Sequence, residues 1–196
     1  QSFIEISQQV PLTVEDLQKA GFAAGQAGVT GEKAITNFAI AAAKLSKVGG
    51  DAFKDLNIEQ ISDQLAKLSI AFGITGDDME NVERVASSLL GVAKDVPGGL
   101  GEVIEALRRV AGFASNAGLS LETTTALVGT LVAAAVPASR AGTELGRVIS
   151  EMSQNVDKLA EVLGYGVEGI DELKDRMDKD LNGVMLETIH RLSPVE

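Results

Sequence analysis

The sequence predicts an all-α fold, a multi-helix array of helix–turn–helix units of about 45 residues followed by short C-terminal helices. No window alternates apolar and polar residues as a half-buried strand does, whereas apolar residues recur at helical spacing along most of the chain. Aromatic residues make up only 4% of the chain, and there is no Trp. A core of Ala, Val, Leu and Ile suits closely packed helices better than a β-sandwich.

A tripeptide of Gly, an aliphatic residue and Thr or Ser occurs three times, 45 residues apart each time, at 28–30, 73–75 and 118–120. Glycine can adopt the left-handed conformation that closes a helix, and Thr or Ser can N-cap the next one. An acidic residue follows within two positions, which suits the positive end of the new helix dipole. Each copy therefore predicts a helix–turn–helix corner, with these residues as N-caps: Thr30, Thr75 and Ser120.

Start signals for the helix before each corner support the same organisation. Thr13 precedes an amphipathic run and is expected to N-cap it. Asn57 and Gln60 have the spacing of a capping box, in which each side chain accepts a hydrogen bond from the other residue's backbone N–H. The Val-Pro-Gly-Gly sequence at 96–99 breaks the chain before the third such helix.

These signals predict the helices and the domain organisation. The helices are expected at about 13–27, 30–47, 57–72, 75–94, 100–117, 120–135, 138–163, 168–179 and 184–192. Residues 1–163 are expected to form a helical core region with units at about 12–55, 56–99 and 100–150. Residues 164–196 are expected to be an acidic helical C-terminal extension of the same domain.

The charge balance indicates which classes of binding partner the chain disfavours. The formal net charge is −11, which disfavours both nucleic-acid backbones and anionic membrane surfaces as partners. The acidic excess lies mainly at the C-terminal end, since residues 101–150 carry four acids and four bases, and residues 151–196 carry 11 acids and five bases. There is no cysteine, so disulfides and thiolate metal sites are excluded.

The motif at 164–169 matches the glycine pattern G-x-G-x-x-G of dinucleotide-binding sites. Such a site needs a strand before the glycines and a helix that begins within them. Here an amphipathic helical run precedes Gly164. The glycines are therefore interpreted as a helix C-cap and a turn, and no cofactor is expected.

No residue pattern points to catalysis or to a metal site. The only histidine, His190, is expected on the surface or in the last turn of a helix. Four aspartates at 171, 175, 178 and 180 lack the ligand spacing of a calcium loop and are interpreted as a solvated helix face. No catalytic, cofactor-binding or metal-binding residue is expected, and the protein is predicted not to be an enzyme.

Two apolar features predict packing surfaces. Residues 123–139 carry no charge, which predicts a buried central helix or, alternatively, a face for an oligomer or partner. The segment is slightly short for a membrane span, and Thr, Gly and Pro dilute its hydrophobicity. Three pairs of small residues at i, i+4 allow close helix approach within the fold or self-association: Gly21 and Gly25, Ala111 and Ser115, Gly142 and Gly146.

The order of several motifs resembles the core region of phage tail tape-measure proteins. The motifs GFA at 112–114, AGLS at 117–120, TAL at 125–127 and AGTELGR at 141–147 follow one another as in that family. Residues 11–17, 25–29, Phe38 and 180–187 resemble the same region, so the similarity covers nearly the whole chain. These are helix-packing and corner residues, and none of them is catalytic in the family.

The resemblance implies a virion tail component that sets tail length, scaffolds polymerisation of the tail tube and occupies the tube lumen after assembly in the host cytoplasm. It implies tail-tube protein, tail-assembly chaperones and tail-tip proteins as partners. The alternative from the residues alone is an α-solenoid adaptor that binds a peptide without catalysis. Long heptad-rich flanking sequences would favour the tape measure, and further 45-residue units would favour the solenoid.

Overall fold

A computed structural model describes residues 4, 7, 13–26, 28–49, 56–74, 79–96 and 99–192. No strand occurs in these ranges, and the prediction of an all-α fold is confirmed. A 3₁₀ turn, Val167–Gly169, precedes the last helix. The helices are α1 (Val14–Gln26), α2 (Glu32–Gly49), α3 (Ile58–Ala71), α4 (Met79–Ala93), α5 (Gly99–Asn116), α6 (Leu121–Ala133), α7 (Ala138–Gln154), α8 (Val156–Val162) and α9 (Ile170–Leu192).

The first seven helices form two layers. Helices α1, α3, α5 and α7 pack side by side in one layer, called the odd layer here, and α2, α4 and α6 pack in the other, the even layer. Successive helices also pack across the layers, so each helix makes its main contacts with helices one or two positions away in the chain. The core lies between the layers and includes these fully buried side chains: Leu17, Phe38, Ile61, Leu65, Leu89 and Leu107. The exact 45-residue repeat unit stays a prediction.

The three tripeptides close helices α1, α3 and α5 as expected. Gly28, Gly73 and Gly118 have φ values of 90°, 66° and 83°, which place them in the left-handed region that favours glycine. The aliphatic residue after each glycine donates its N–H to a carbonyl five residues earlier, and these bonds satisfy the last turn of the helix. The bonds are Val29 to Ala24 at 3.0 Å, Ile74 to Ser69 at 2.8 Å and Leu119 to Ala114 at 2.9 Å.

Three of the expected N-caps are confirmed. The side chains of Thr13, Asn57 and Ser120 accept from the backbone N–H three residues later at 3.1, 2.9 and 3.1 Å. Thr30 was the wrong residue, because Gly31, with φ of 92°, lengthens the turn and α2 begins only at Glu32. The Thr75 N-cap lies outside the described residues.

One expected helix is divided in the structure, and one expected break is present as a kink. The helix expected at 138–163 is interrupted at Asn155 (φ −122°, ψ 49°), which separates α7 from α8. The break expected between the helices at 168–179 and 184–192 occurs within α9 as a kink at Asp180 (φ −149°, ψ 70°). The Asp180 carboxylate accepts from the Gly183 N–H at 2.9 Å, so Asp180 N-caps the second half of α9.

The burial of α6 differs from the prediction. The uncharged segment at 123–139 is not a buried central helix, because α6 ends at Ala133 and exposes one face that contains Ala126, Thr130 and Ala133. Helix α2, for which the sequence made no such prediction, is more enclosed, since none of residues 34–43 is exposed. The uncharged part of α6 is rich in small Ala and Thr side chains, which occur in both buried and exposed positions.

Candidate interaction surface

Four large apolar side chains are exposed on the odd layer, one on each of its helices. They are Phe22 on α1, Ile70 on α3, Phe113 on α5 and Val148 on α7, with exposed fractions of 64%, 50%, 64% and 46%. The described part of the even layer exposes no large apolar side chain. These four residues are called the apolar row below. Further exposed apolar side chains lie outside both layers, on α8, the 3₁₀ turn and α9: Val162, Val167, Leu186 and Ile189.

Three of the four residues lie near the C-terminal ends of their helices. Phe22, Ile70 and Phe113 precede the corner glycines of their own helices by six, three and five residues. The Ile70 Cδ1 atom lies 3.9 Å from where a Cβ on Gly28 would be, so Ile70 reaches the corner that ends α1. The Phe113 ring lies 3.7 Å from where a Cβ on Gly146 would be, so Phe113 covers part of α7.

The close approach of α5 and α7 beneath the row depends on Gly142. A Cβ added to Gly142 would overlap the carbonyl oxygen of Ala106 and lie 2.9 Å from the Cβ of Arg109. Gly142 and Gly146 therefore serve as a packing face within the chain. Gly25, in contrast, is exposed with no neighbour within 4 Å of an added Cβ.

Charges on the odd layer are arranged mostly in pairs of opposite sign. Glu15 accepts from Lys19 at 2.8 Å, and this hydrogen bond raises the pKa of Lys19 above 10.5. Three further groups lie along the layer: Lys67 with Asp63 at 2.8 Å, Arg109 with Glu105 at 3.2 Å, and Glu144 between Arg147 at 3.8 Å and Arg140 at 3.9 Å. Pairs this exposed contribute little to stability, but they leave the face without a strong net charge.

A groove of about 520 Å³ lies between α3 and α5 on the same layer. Its walls combine apolar and polar groups, and the Gln64 Oε1 atom beside it is buried without a hydrogen-bond partner. Among the described residues that line the groove there is no nucleophile paired with a base. The lining residues are Leu56, Gln64, Gly101, Ile104, Glu105, Arg108 and Arg109.

The motif at 164–169 has the structure expected of a helix end. Helix α8 precedes it, Gly164 has φ of 73°, and the Tyr165 N–H donates to the Ala160 carbonyl at 2.8 Å. The interpretation as a C-cap and turn is confirmed. His190 is exposed in the last turn of α9, also as expected.

The four aspartates at 171, 175, 178 and 180 are exposed on α9. Asp171 and Asp175 pair with Lys174 at 3.7 Å and Lys179 at 2.7 Å. No group of His, Cys, Asp or Glu within the described ranges could hold a metal ion. Across the same part of the chain, no helix has both the length and the hydrophobicity to cross a membrane.

Sequence reasoning missed the polar contacts that hold α9 in place. The Asn182 side chain accepts from the Ser120 N–H at 2.9 Å and donates to the Gly118 carbonyl at 3.3 Å, which connects α9 to the third corner. Arg176 pairs with Glu187 at 2.9 Å and lies 5.8 Å from the centre of the Tyr165 ring. The partners of Asn182 lie more than 60 residues away in the chain, so no local pattern could have indicated them.

The two-layer helical array, with no strand in the described residues, defines an all-α protein. Over residues 1–195 the chain matches the family described as "Phage-related minor tail protein", and it belongs to that family. It is therefore a structural component of the phage tail. No curated protein and no solved structure matches the chain.

Proposed function

We propose that this chain is a segment of a tail tape-measure protein, and that it takes part in tail assembly and in setting tail length. The proposal is supported by where the motifs that resemble tape-measure proteins lie in the fold. The GFA and AGLS motifs end α5 and form its corner, and the AGTELGR motif lies on α7. Gly142 and Gly146 of that motif pack against Ala106 and Phe113. The ordered motifs thus describe one packing unit.

On this proposal the partners are the tail-tube protein, the tail-assembly chaperones and the tail-tip proteins. The chain would assemble in the host cytoplasm and lie in the lumen of the tail tube. Residues 1–163 would act as a helical core region, with residues 164–196 as its acidic extension. Since the helices pack into layers, the folded segment would add less length to a ruler than a single extended helix of 1.5 Å per residue.

An in-frame deletion of residues 29–73 in the complete protein tests the proposal. It joins Gly28 to Ile74 and Thr75, which restores a corner tripeptide. We expect fewer tails, because the packing of α1 and α2 is lost, without shortening by the increment of about 65–70 Å that 45 helical residues would give. The control is Gly142→Ala, which disturbs the fold without changing the number of residues.

Electron microscopy of tails from both variants distinguishes the outcomes. Normal yields of tails shortened by the full helical increment would show that the segment is stretched in the virion, against the folded state proposed here. Normal yields of tails of unchanged length would show that the segment is needed neither for tail assembly nor for length determination, and the proposal would be wrong.

The second candidate is an α-solenoid-like adaptor without catalytic activity. The specific observation in its favour is that helices α1 to α7 make their main contacts with near neighbours, as in solenoids. On this alternative, the groove between α3 and α5 would bind a peptide. Loss of tail-protein binding on Arg108→Glu, an exposed residue of the groove, at wild-type stability and with normal tail lengths, would favour the adaptor.

A further inference from the structure

We propose that Asn182 and Gly183 form a site of spontaneous deamidation, and that the docking of α9 on the corner between α5 and α6 controls the reaction. Asn182 is the only one of the chain's six asparagines that is followed by glycine. Deamidation begins when the backbone nitrogen of the next residue reaches the side-chain carbonyl carbon, and glycine has no Cβ to obstruct that approach. Asn182 is therefore the most reactive asparagine whenever this part of the chain is flexible, whatever the function of the protein.

The reaction needs water and no other reactant. The Gly183 nitrogen loses its proton and bonds to the Asn182 Cγ atom, and the side-chain amide nitrogen leaves with that proton as ammonia. The resulting cyclic imide is then opened by water at either of its carbonyl groups. One opening gives aspartate, and the other gives isoaspartate, whose backbone passes through the side chain and is one methylene longer. No group is oxidised or reduced.

In the docked state, three hydrogen bonds hold the reacting groups in place. The Asn182 side chain accepts from the Ser120 N–H at 2.9 Å and donates to the Gly118 carbonyl at 3.3 Å. The Gly183 N–H donates to the Asp180 carboxylate at 2.9 Å, in the helical turn that follows the kink. Ring closure requires the Asn182 side chain to leave the corner and this helical turn to open. The folded structure therefore protects Asn182 as long as α9 is docked.

Helix α9 can undock without unfolding the two layers. It makes its main contacts with α8 and the 3₁₀ turn, and Asn182 connects it to the layers. Its apolar face is buried and includes these side chains: Leu173, Leu181, Val184 and Met185. An element attached in this way opens locally, at a lower free energy than global unfolding. Each opening makes Asn182 and Gly183 available to the reaction.

Deamidation weakens the docking that prevents it. Aspartate at position 182 still accepts from the Ser120 N–H, but it has no N–H to donate, so its second oxygen faces the Gly118 carbonyl oxygen. The new charge also lies within four residues of Asp178 and Asp180 and is repelled by them. Isoaspartate lengthens the backbone and interrupts the helical turn. Because the ammonia is lost, the release of α9 is permanent.

Peptide mapping by mass spectrometry tests the site in the 196-residue chain at mildly alkaline pH. In guanidinium chloride, Asn182 should lose ammonia faster than the other five asparagines. In the folded chain its rate should be at least about tenfold lower than in guanidinium chloride, because α9 must undock first. Equal rates in the two states, or a faster loss at another asparagine in the denaturant, would overturn the proposal.

Two matched leucine substitutions separate the undocking of α9 from a loss of stability elsewhere. Leu173→Ala removes a fully buried side chain of α9 and should raise the rate in the folded chain about tenfold or more. Leu17→Ala removes an equally buried side chain of α1, which packs mainly on α2 and α3. It should leave the rate at Asn182 nearly unchanged, and circular dichroism would verify that both variants fold. Equal acceleration by both would show that α9 opens only with the whole domain, against the proposal.

The aspartate product is tested with Asn182→Asp, and its matched control is Asn57→Asp. The Asn57 side chain accepts from the Gln60 N–H at 2.9 Å, and a carboxylate preserves that N-cap. Amide hydrogen exchange within α9 should become about tenfold faster in Asn182→Asp, through the lost Gly118 bond and the added repulsion. It should keep the wild-type rate in Asn57→Asp. Unchanged exchange in Asn182→Asp would show that deamidation does not release α9, and the proposal would be wrong.

Discussion

Replacing Gly142 by alanine introduces one methyl group where α7 approaches α5 most closely. The new Cβ would overlap the Ala106 carbonyl oxygen and lie 3.0 Å from its carbonyl carbon, and both belong to the backbone. A flexible side chain could rotate away, but a backbone carbonyl can retreat only if one helix shifts against the other. The perturbation therefore acts on the α5–α7 seam as a whole.

The expected change in the free energy of unfolding is the difference between two effects. Overpacking costs about 1–3 kcal/mol, and the upper end applies where backbone is the obstacle. Alanine in place of glycine inside a helix returns about 0.5–1 kcal/mol. We expect a net loss of about 2 kcal/mol, which lowers the melting temperature by about 4–8 °C for a chain of this size. Urea unfolding followed by circular dichroism measures the free energy directly.

Gly112→Ala on α5 is the matched control. It lies in a helix interior and is exposed, and an added Cβ there would have no neighbour within 4 Å. The same substitution should therefore stabilise the protein by about 0.5–1 kcal/mol. If Gly142→Ala were as stable as Gly112→Ala, α5 and α7 would not be in close contact and the described seam would be wrong.

Three further substitutions test other positions by urea unfolding. Ala135→Gly should stabilise the protein by up to about 1 kcal/mol, because Ala135 has φ of 63°, in the left-handed region that favours glycine. Its control, Ala134→Gly, should destabilise the protein, because Ala134 has φ of −77°. Equal effects of the two substitutions would argue against the left-handed turn. Thr125→Val should stabilise by about 1 kcal/mol since the buried Thr125 hydroxyl has no hydrogen-bond partner, and a loss would reveal an unseen bond. Asn182→Ala should cost about 1–2 kcal/mol through the lost Ser120 and Gly118 bonds, and no change would mean that these two bonds do not stabilise the packing of α9.

The parts of the fold that are encoded locally could be predicted from the sequence. A corner needs only a glycine, its neighbours and one helix turn, so residues such as Gly118 and Ser120 could be identified from their spacing. The same holds for the capping box of Asn57 and Gln60. Thr30 was missed by one residue because two glycines within four positions, Gly28 and Gly31, offered alternative turn lengths.

The rest depends on tertiary contacts that no local pattern contains. The burial of α2 and the exposed face of α6 follow from their positions in the layers, and both helices consist largely of small side chains. The apolar row went unnoticed because Phe22 and Phe113 each look like ordinary core residues of an amphipathic helix. Only the packing of the helices shows that these side chains are exposed and that all four lie on helices of the odd layer.

The near-neighbour packing of the helices has a mechanical consequence. If the chain is pulled from its ends, α1 can detach without disturbing helices more than two positions away. Each detached residue then extends to about 3.3–3.6 Å, against 1.5 Å in a helix. Helix α9 differs, because Asn182 connects it to the corner between α5 and α6. Such a chain can lengthen in steps from its α1 side while the α5–α7 contact and α9 stay folded, so it can absorb strain inside a long assembly without losing its structure all at once.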